Sequence, residues 1–291
     1  MVATALLLSA CAPQAMLQRV AVGQLADQLA SQGSAGEDDL GLAREASAFY
    51  LKLSESVLRQ KPAHLPLAEA VAGGFTQYSY AFVAAEADRV QAVDAKAGQR
   101  LRERAARLYW RARGHAMTAL ALNNPALVAA LSSQRGPAAL ADLQLPAEQV
   151  GIAYWAAASW GAFIALSKDK PEAVADLPQV VELARLAWRQ APQHGAGALA
   201  SLLGVLEAAR PGGSLQQAQT YFDAAIVAGA GRSAGPYVAK AESLAWPAAD
   251  RVAFEALLHQ ALAVAQAERN VANEVMRERA QWLLDSADDM F

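Results

Sequence analysis

The placement of prolines in an alanine- and leucine-rich chain constrains this fold more than any other sequence feature. Twelve prolines divide the 291 residues, and nearly every one stands at the start or just past the end of a segment with apolar residues at helical spacing. Alanine and leucine lose little entropy on entering a helix. No stretch of useful length shows the apolar–polar alternation that predicts a strand, so we predict an all-α fold.

The predicted helices follow from these stops and from capping residues. The first full helix begins after a polar loop at 31–39, whose acidic residues can cap it, and carries Leu42, Phe49 and Leu53 among its apolar positions. Ser214 is placed to cap a later helix. Predicted helices bounded by a proline or a cap run over residues 40–61, 66–89, 96–124, 147–166, 178–191 and from 215 onward.

A degenerate repeat accompanies the helices. The tetratricopeptide (TPR) pattern combines small and large residues four apart with an alanine three positions later. Ala187, Ala225 and Ala261 are separated by 38 and 36 residues, close to the TPR period of about 34. We therefore predict a TPR-like solenoid of antiparallel helix pairs with extra N-terminal helices. The repeat sets are Ala105, Tyr109 and Ala112; Val180, Ala184 and Ala187; Ala218, Phe222 and Ala225; and Phe254, Leu258 and Ala261.

The N-terminus resembles a bacterial lipoprotein signal. Residues 1–10, MVATALLLSA, are apolar and end in small residues, as an export signal does before its cleavage site. The tetrad at 8–11, LSAC, is similar to a lipobox, in which the cysteine receives lipid, and Cys11 is the chain's single cysteine. No basic residue precedes the apolar run, which a start codon further upstream would explain. The alternative is a buried helix start with an incidental cysteine.

We therefore expect three parts: a signal segment at 1–10, a lipidated N-terminus with a linker or helix at 11–39, and a TPR-like α-solenoid at 40–291. The apolar, uncharged stretch at 150–166 reaches only the lower limit for spanning the roughly 30 Å of bilayer hydrocarbon. An apolar helix inside the solenoid is the preferred interpretation. Membrane attachment is then expected through the lipid anchor.

Composition and motifs argue against several function classes. A net charge of -3 gives no electrostatic footprint for nucleic acid. Phosphate-binding loops and nucleophile elbows are absent from the sequence, so we predict neither an enzyme nor a cofactor. The histidines show no metal-binding spacing and are expected to cap helices or lie at the surface; they are His64, His115, His194 and His259.

One helix carries a stripe of arginines. Arg100, Arg104, Arg107 and Arg111 are spaced by four, three and four residues, which places them on one helix face. The functional hypothesis is a contact with an anion or an acidic partner, because arginine binds carboxylates bidentately. The alternative is an ordinary solvated face with inter-helix ion pairs.

A set of aromatic residues lies among small neighbours. Core packing is the default for such residues, but tyrosine and tryptophan also offer a polar tip to a ligand cleft or pore. We expect some of them to border an internal cavity. The candidates are Tyr78, Tyr80, Tyr154, Trp155 and Trp160.

Several segments of the chain carry a family resemblance through their order. They include FTQYSYAF at 75–82, RLYWRARGHAMTALALNNP at 107–125, YWAAASW at 154–160, YFDAAI at 221–226 and DDMF at 288–291. Together they resemble the T component associated with tripartite ATP-independent periplasmic (TRAP) transporters, the TatT-like TPR lipoproteins, over roughly residues 40–291.

This resemblance implies a periplasmic lipoprotein, on the outer rather than the inner membrane, that associates with the substrate-binding P component of the transporter. It also implies a homotrimer with a central pore that helps to deliver a small apolar or amphiphilic ligand. The alternative is a generic TPR adaptor that assembles envelope machinery and has no small-molecule ligand.

Overall fold

The computed structural model describes residues 22–31, 37–133, 139–140 and 143–291. These residues form helices joined by turns, with no strand among them, which confirms the all-α prediction. The predicted signal segment and Cys11 lie outside the described residues. Among the described helices, none combines the length and the apolar character needed to cross a bilayer.

Fifteen α-helices are numbered here in chain order within the described residues. They are α1 (22–31), α2 (Leu40–Leu58), α3 (Leu65–Ser79), α4 (Ala85–Gln91), α5 (Ala95–Asn123), α6 (Pro125–Leu131), α7 (Val150–Ala165), α8 (Pro171–Val174), α9 (Leu177–Gln190), α10 (Ala198–Ala209), α11 (Leu215–Gly229), α12 (Gly235–Lys240), α13 (Arg251–Ala267), α14 (Val271–Asp285) and α15 (Ala287–Met290). Two π-helical segments, Tyr80–Ala84 and Ala241–Ala245, continue α3 and α12, and 3-10 turns at Ala147–Gln149 and His194–Gly197 precede α7 and α10.

Capping residues begin the helices where the sequence predicted. Asp39 accepts hydrogen bonds from the first backbone amides of α2, and the Ser214 hydroxyl accepts one from the Gln217 amide in α11. His64 caps α3 through its Nδ1, which lies 3.1 Å from the Leu67 amide nitrogen. Proline occupies the first turn of α3, α6, α8, α9 and α12, where its missing N–H costs nothing.

The helices stack as the repeat predicted. Successive contacts run α2 to α3, α3 to α5, α5 to α7, α7 to α9, α9 to α10 and α10 to α11, and α13 packs on α14. The twelve residues of the four predicted repeat sets are all buried, none more than 3% exposed. These buried positions confirm a TPR-like helical repeat arrangement.

Small residues allow one close crossing in this stack. Gly197 has φ 94°, in the left-handed region, and a Cβ there would lie only 2.4 Å from the Ala225 carbonyl oxygen of α11. Ala225 itself is fully buried. The turn before α10 and the middle of α11 therefore approach each other without room for a larger side chain.

The outer face of α2 departs from the usual one-sided pattern. Its inner face, with Val57 and Leu58, belongs to the core. Leu42, Phe49 and Leu53 instead face outward, and Phe49 is 74% exposed. The sequence showed that these residues share a helical period, but α2 has two apolar faces and the described helices cover only one.

Two hydrophobic clusters make up most of the core. The larger one contains buried residues from α1 through α11, and a second one contains residues of α12 to α14. α14 nevertheless returns to contact α2. The last helices thus meet the first ones, and charged side chains from both are paired at the contact between them.

The crossing at Ala225 gives a test of the repeat register. Ala225→Leu forces three extra carbons into the contact with the turn at Gly197 and should lower the free energy of unfolding by about 1–3 kcal/mol. Ala224→Leu, at the exposed neighbouring position of α11, is the matched control and should leave that free energy nearly unchanged. Urea unfolding followed by circular dichroism measures both, and equal effects would show that the assigned register is wrong.

Candidate functional site

Two π-helical segments face the same place between the two ends of the chain. Tyr80–Ala84 lies between α3 and α4, and Ala241–Ala245 follows α12. Such insertions of one residue are rare and recur at functional sites. Tyr80 and Glu242, one from each segment, lie close enough for the carboxylate to act on the phenol electrostatically.

Arg279 of α14 connects these segments through charged hydrogen bonds. Its Nη1 donates to Asp88 Oδ2 at 2.8 Å, and its Nη2 and Nε donate to Glu242 Oε1 at 2.6 and 3.1 Å. On the far side, Arg102 Nη2 donates to Asp88 Oδ1 at 3.1 Å. We call Asp88, Arg102, Glu242 and Arg279 the closure cluster, because it joins α4 and α5 to the last helices.

Burial sets the protonation behaviour of this cluster. Burial raises the pKa of Glu242, and the neighbouring Arg279 opposes that rise. Burial also works against the charge of Arg279, but the carboxylates of Glu242 and Asp88 overcome it and hold the pKa of the guanidinium above its ordinary value. The pKa of Tyr80 is raised first by burial and then by Glu242. Arg279 therefore stays cationic and Tyr80 stays a neutral phenol.

A cavity of about 180 Å³ lies beside the cluster, between α2, the first π segment, α4 and α14. Apolar side chains of Leu40, Phe82 and Val275 form part of its wall, together with the Tyr80 ring. Charged side chains form the rest. The lining residues are Leu40, Gly41, Arg44, Tyr80, Ala81, Phe82, Ala85, Glu86, Arg89, Val275, Glu278 and Arg279.

The cations of the cavity differ in their partners. Arg89 is shared between Glu278, at 3.0 Å, and Glu86, at 3.8 Å. Arg44 has no ion-pair partner among the described residues. Because a cavity of about 150 Å³ holds benzene, this one has room for roughly six to ten non-hydrogen atoms, with Arg44 available to a polar end.

Of the five aromatics predicted for a cleft, Tyr80 lines this cavity and the others lie elsewhere. Tyr78 packs edge-on against Phe82, with ring centroids 5.4 Å apart. Trp155 covers Gly73, where a Cβ would come within 2.6 Å of the indole. Tyr154 packs edge-on against Trp155, with ring centroids 4.7 Å apart, and burial raises the pKa of Tyr154 to about 12.

Trp160 has a packing role with satisfied polar contacts. It is 4% exposed, its Nε1 donates to Asp176 Oδ2 at 3.2 Å, and the Arg113 guanidinium lies 4.0 Å from its ring centre. These contacts join α5 to α7 and to the residue before α9.

The arginine stripe divides into two groups. Arg111 donates through Nε and Nη2 to the buried carboxylate of Glu55 on α2, and His115 Nε2 lies 2.9 Å from the same group. Burial alone would raise the pKa of Glu55, but hydrogen bonds from Arg111, Lys52 and His115 outweigh burial and hold it at about 2. Arg111 is thus an inter-helix tie.

The remaining stripe arginines, Arg100, Arg104 and Arg107, are exposed. None of the three has an ion-pair partner among the described residues. The predicted stripe therefore mixes an arginine that pairs with a neighbouring helix and arginines that face solvent. The 3.6-residue period shows which face of the helix a residue lies on but not what lies opposite that face.

Sequence reasoning missed the other members of the site. Arg44, Asp88, Glu242 and Arg279 carry no local motif, and Asp88 meets Arg279 across 191 residues of sequence. The prolines and repeats did not indicate where π segments would occur. No local signal marks Glu242 either, because it stands between Lys240-Ala241 and Ser243 and resembles a residue of an ordinary polar helix face.

The sequence is similar to known proteins over most of its length. A sequence model of the family described as TRAP transporter T-component (TAtT) matches residues 36–291. A protein of Treponema pallidum (strain Nichols), described as an uncharacterized protein, is 28% identical over 268 residues, which are 88% of this chain and 81% of the relative. The family match includes both π segments, the cavity and the closure cluster.

Removal of the central cation tests the closure cluster. Arg279→Ala leaves Glu242 without its cation and leaves Asp88 with Arg102 as its remaining cationic partner. The variant should destabilise the protein by about 2–4 kcal/mol. Arg251→Ala, which breaks two ion pairs at the surface, should leave stability unchanged. Thermal unfolding of both variants provides the measurement. A loss for Arg279→Ala no greater than that of the control would mean that the cluster does not hold the ends together.

Proposed function

The chain belongs to the TRAP transporter T-component family, and we propose that it works as a periplasmic lipoprotein that binds the substrate-binding P component of its transporter and holds a small amphiphilic ligand. The family match over 36–291 is the observation that carries this proposal. The family is associated with transporters and is not an enzyme family.

The cavity beside the closure cluster is the proposed ligand site. Its wall offers apolar surface from Leu40, Phe82 and Val275 and a cation from Arg44. A ligand with a short hydrocarbon part and one polar or anionic end satisfies both kinds of wall. The location between the first and last helices makes access to it dependent on how the two ends fit together.

Self-association is part of the proposal, with three copies as the resemblance implies. The outer face of α2 supports it, because Leu42, Phe49 and Leu53 are exposed at spacings of seven and four residues. A continuous apolar stripe of this kind is typical of a helix that packs on another helix.

The anchor is proposed at Cys11, eleven residues before α1. α1 runs past the turn between α2 and α3, since a Cβ at Gly23 would lie 3.9 Å from Lys61 Nζ and Asp27 Oδ1 lies 2.9 Å from His64 Nε2. The C-terminal end of α5 meets the same turn, where Asn123 Nδ2 donates to the Ala63 carbonyl at 3.1 Å. We call this part of the molecule the anchored end, and we propose the outer membrane as its location.

Complex formation with the P component tests the proposed function. The purified chain, mixed with the purified P component of the same transporter, should elute as a complex in size-exclusion chromatography with multi-angle light scattering. The chain alone should show the mass of three copies. Absence of a complex would contradict the transporter role and favour the generic envelope adaptor. A mass of one copy would contradict self-association.

Filling the cavity tests the ligand site separately. Calorimetric titration with hexanoate, whose eight non-hydrogen atoms fit the cavity, should show weak binding with a Kd of about 1 mM. Ala81→Trp places an indole in the cavity and should weaken binding at least about tenfold, whereas Ala224→Trp, on the exposed face of α11, should not. Arg44→Gln should weaken hexanoate binding and leave hexanol binding unchanged. Equal binding by all variants would place the ligand elsewhere.

A further inference from the structure

The exposed side of α5 is strongly basic in a chain that is acidic overall. The 29 residues of α5 contain seven lysines and arginines and a single acidic residue, Glu103, whereas the whole chain has a net charge of -3. Glu103 accepts a hydrogen bond from Gln99 at 3.2 Å. Arg100, Arg104 and Arg107 are left without an ion-pair partner among the described residues, so their field projects into solvent.

An exposed tryptophan adjoins these arginines and is held rigidly. Trp110, 46% exposed, follows Arg107 by three residues and so lies on the adjoining side of the same helix face. Its ring packs on Phe163 of α7 at 4.7 Å, and the Arg113 guanidinium lies 4.4 Å from its centre. A tryptophan fixed in this way loses little entropy on contact with a partner.

We propose that Arg100, Arg104, Arg107 and Trp110, the α5 docking face, bind an acidic surface of the P component. The inference rests on the proposed function, because it assigns the docking surface for that partner. Arginine and tryptophan are the residue types that dominate binding energy at protein interfaces. The unpaired cations supply charge complementarity and faster association, and Trp110 supplies the apolar anchor.

Charge reversal tests the electrostatic part. Biolayer interferometry with the purified P component compares the unmodified chain with Arg100→Glu/Arg104→Glu/Arg107→Glu at about 50 and 300 mM salt. The triple variant should associate at least about tenfold more slowly at low salt and lose most of the salt dependence. The single variants Arg104→Glu and Arg232→Glu are matched in charge, and Arg232 is also exposed. Only Arg104→Glu should slow association.

Substitution of the tryptophan tests the anchor. Trp110→Ala should raise the dissociation rate about tenfold or more. Trp246→Ala is the matched control, because Trp246 is also 46% exposed and lies after the second π segment, and it should bind as the unmodified chain does. Unfolding temperatures of all variants check that the fold is retained.

Each outcome decides between specific alternatives. If the triple variant and Trp110→Ala bind the P component as well as the unmodified chain does, the α5 docking face is overturned while the transporter role stands. No binding by the unmodified chain overturns both. The inference is also overturned if Arg232→Glu slows association as much as Arg104→Glu does, or if Trp246→Ala speeds dissociation as much as Trp110→Ala does. The effect is then not specific to α5. The unmodified chain could also bind phosphatidylglycerol-containing vesicles. If the triple variant loses that binding but still binds the P component, the face is assigned to lipid instead.

Discussion

The guanidinium of Arg279 lies between two carboxylates that belong to distant parts of the chain. Asp88 comes from α4 and Glu242 from the segment after α12. The described residues form three hydrophobic clusters, and Tyr80 packs against the smallest of them. A buried ion pair adds little net stability, because desolvation offsets the attraction. Its geometric demands are strict, however, so the cluster selects one way of fitting the last helices against the first.

The proposed ligand site depends on this closure. The cavity has walls from α2, from the first π segment and from α14, so it exists only when the two ends meet. The π segment turns Tyr80 toward the cluster and the cavity together. The same contact thus joins the last helices to the first and forms the half-open cavity of the proposed ligand site. The proposed α5 docking face and the outer face of α2 lie outside it.

Much of the fold could be predicted because its determinants are local. Prolines and caps such as Asp39 and Ser214 mark helix ends, and the spacing of Ala187, Ala225 and Ala261 identified buried crossings. The site could not be predicted in the same way, because Asp88 and Arg279 meet only through the stacking of all the helices between them. Periodicity also could not separate Arg111, which ties α5 to Glu55, from Arg107, which faces solvent.

A crystal structure of the purified protein tests whether the last helices close against the first through Arg279. We expect α14 to lie against α4, with the Arg279 guanidinium hydrogen-bonded to both Asp88 and Glu242, and a half-open cavity to lie next to Tyr80. After soaking with hexanoate, electron density should fill that cavity with the carboxylate toward Arg44. Solvent between α4 and α14, with Arg279 turned away from both carboxylates, would contradict the account.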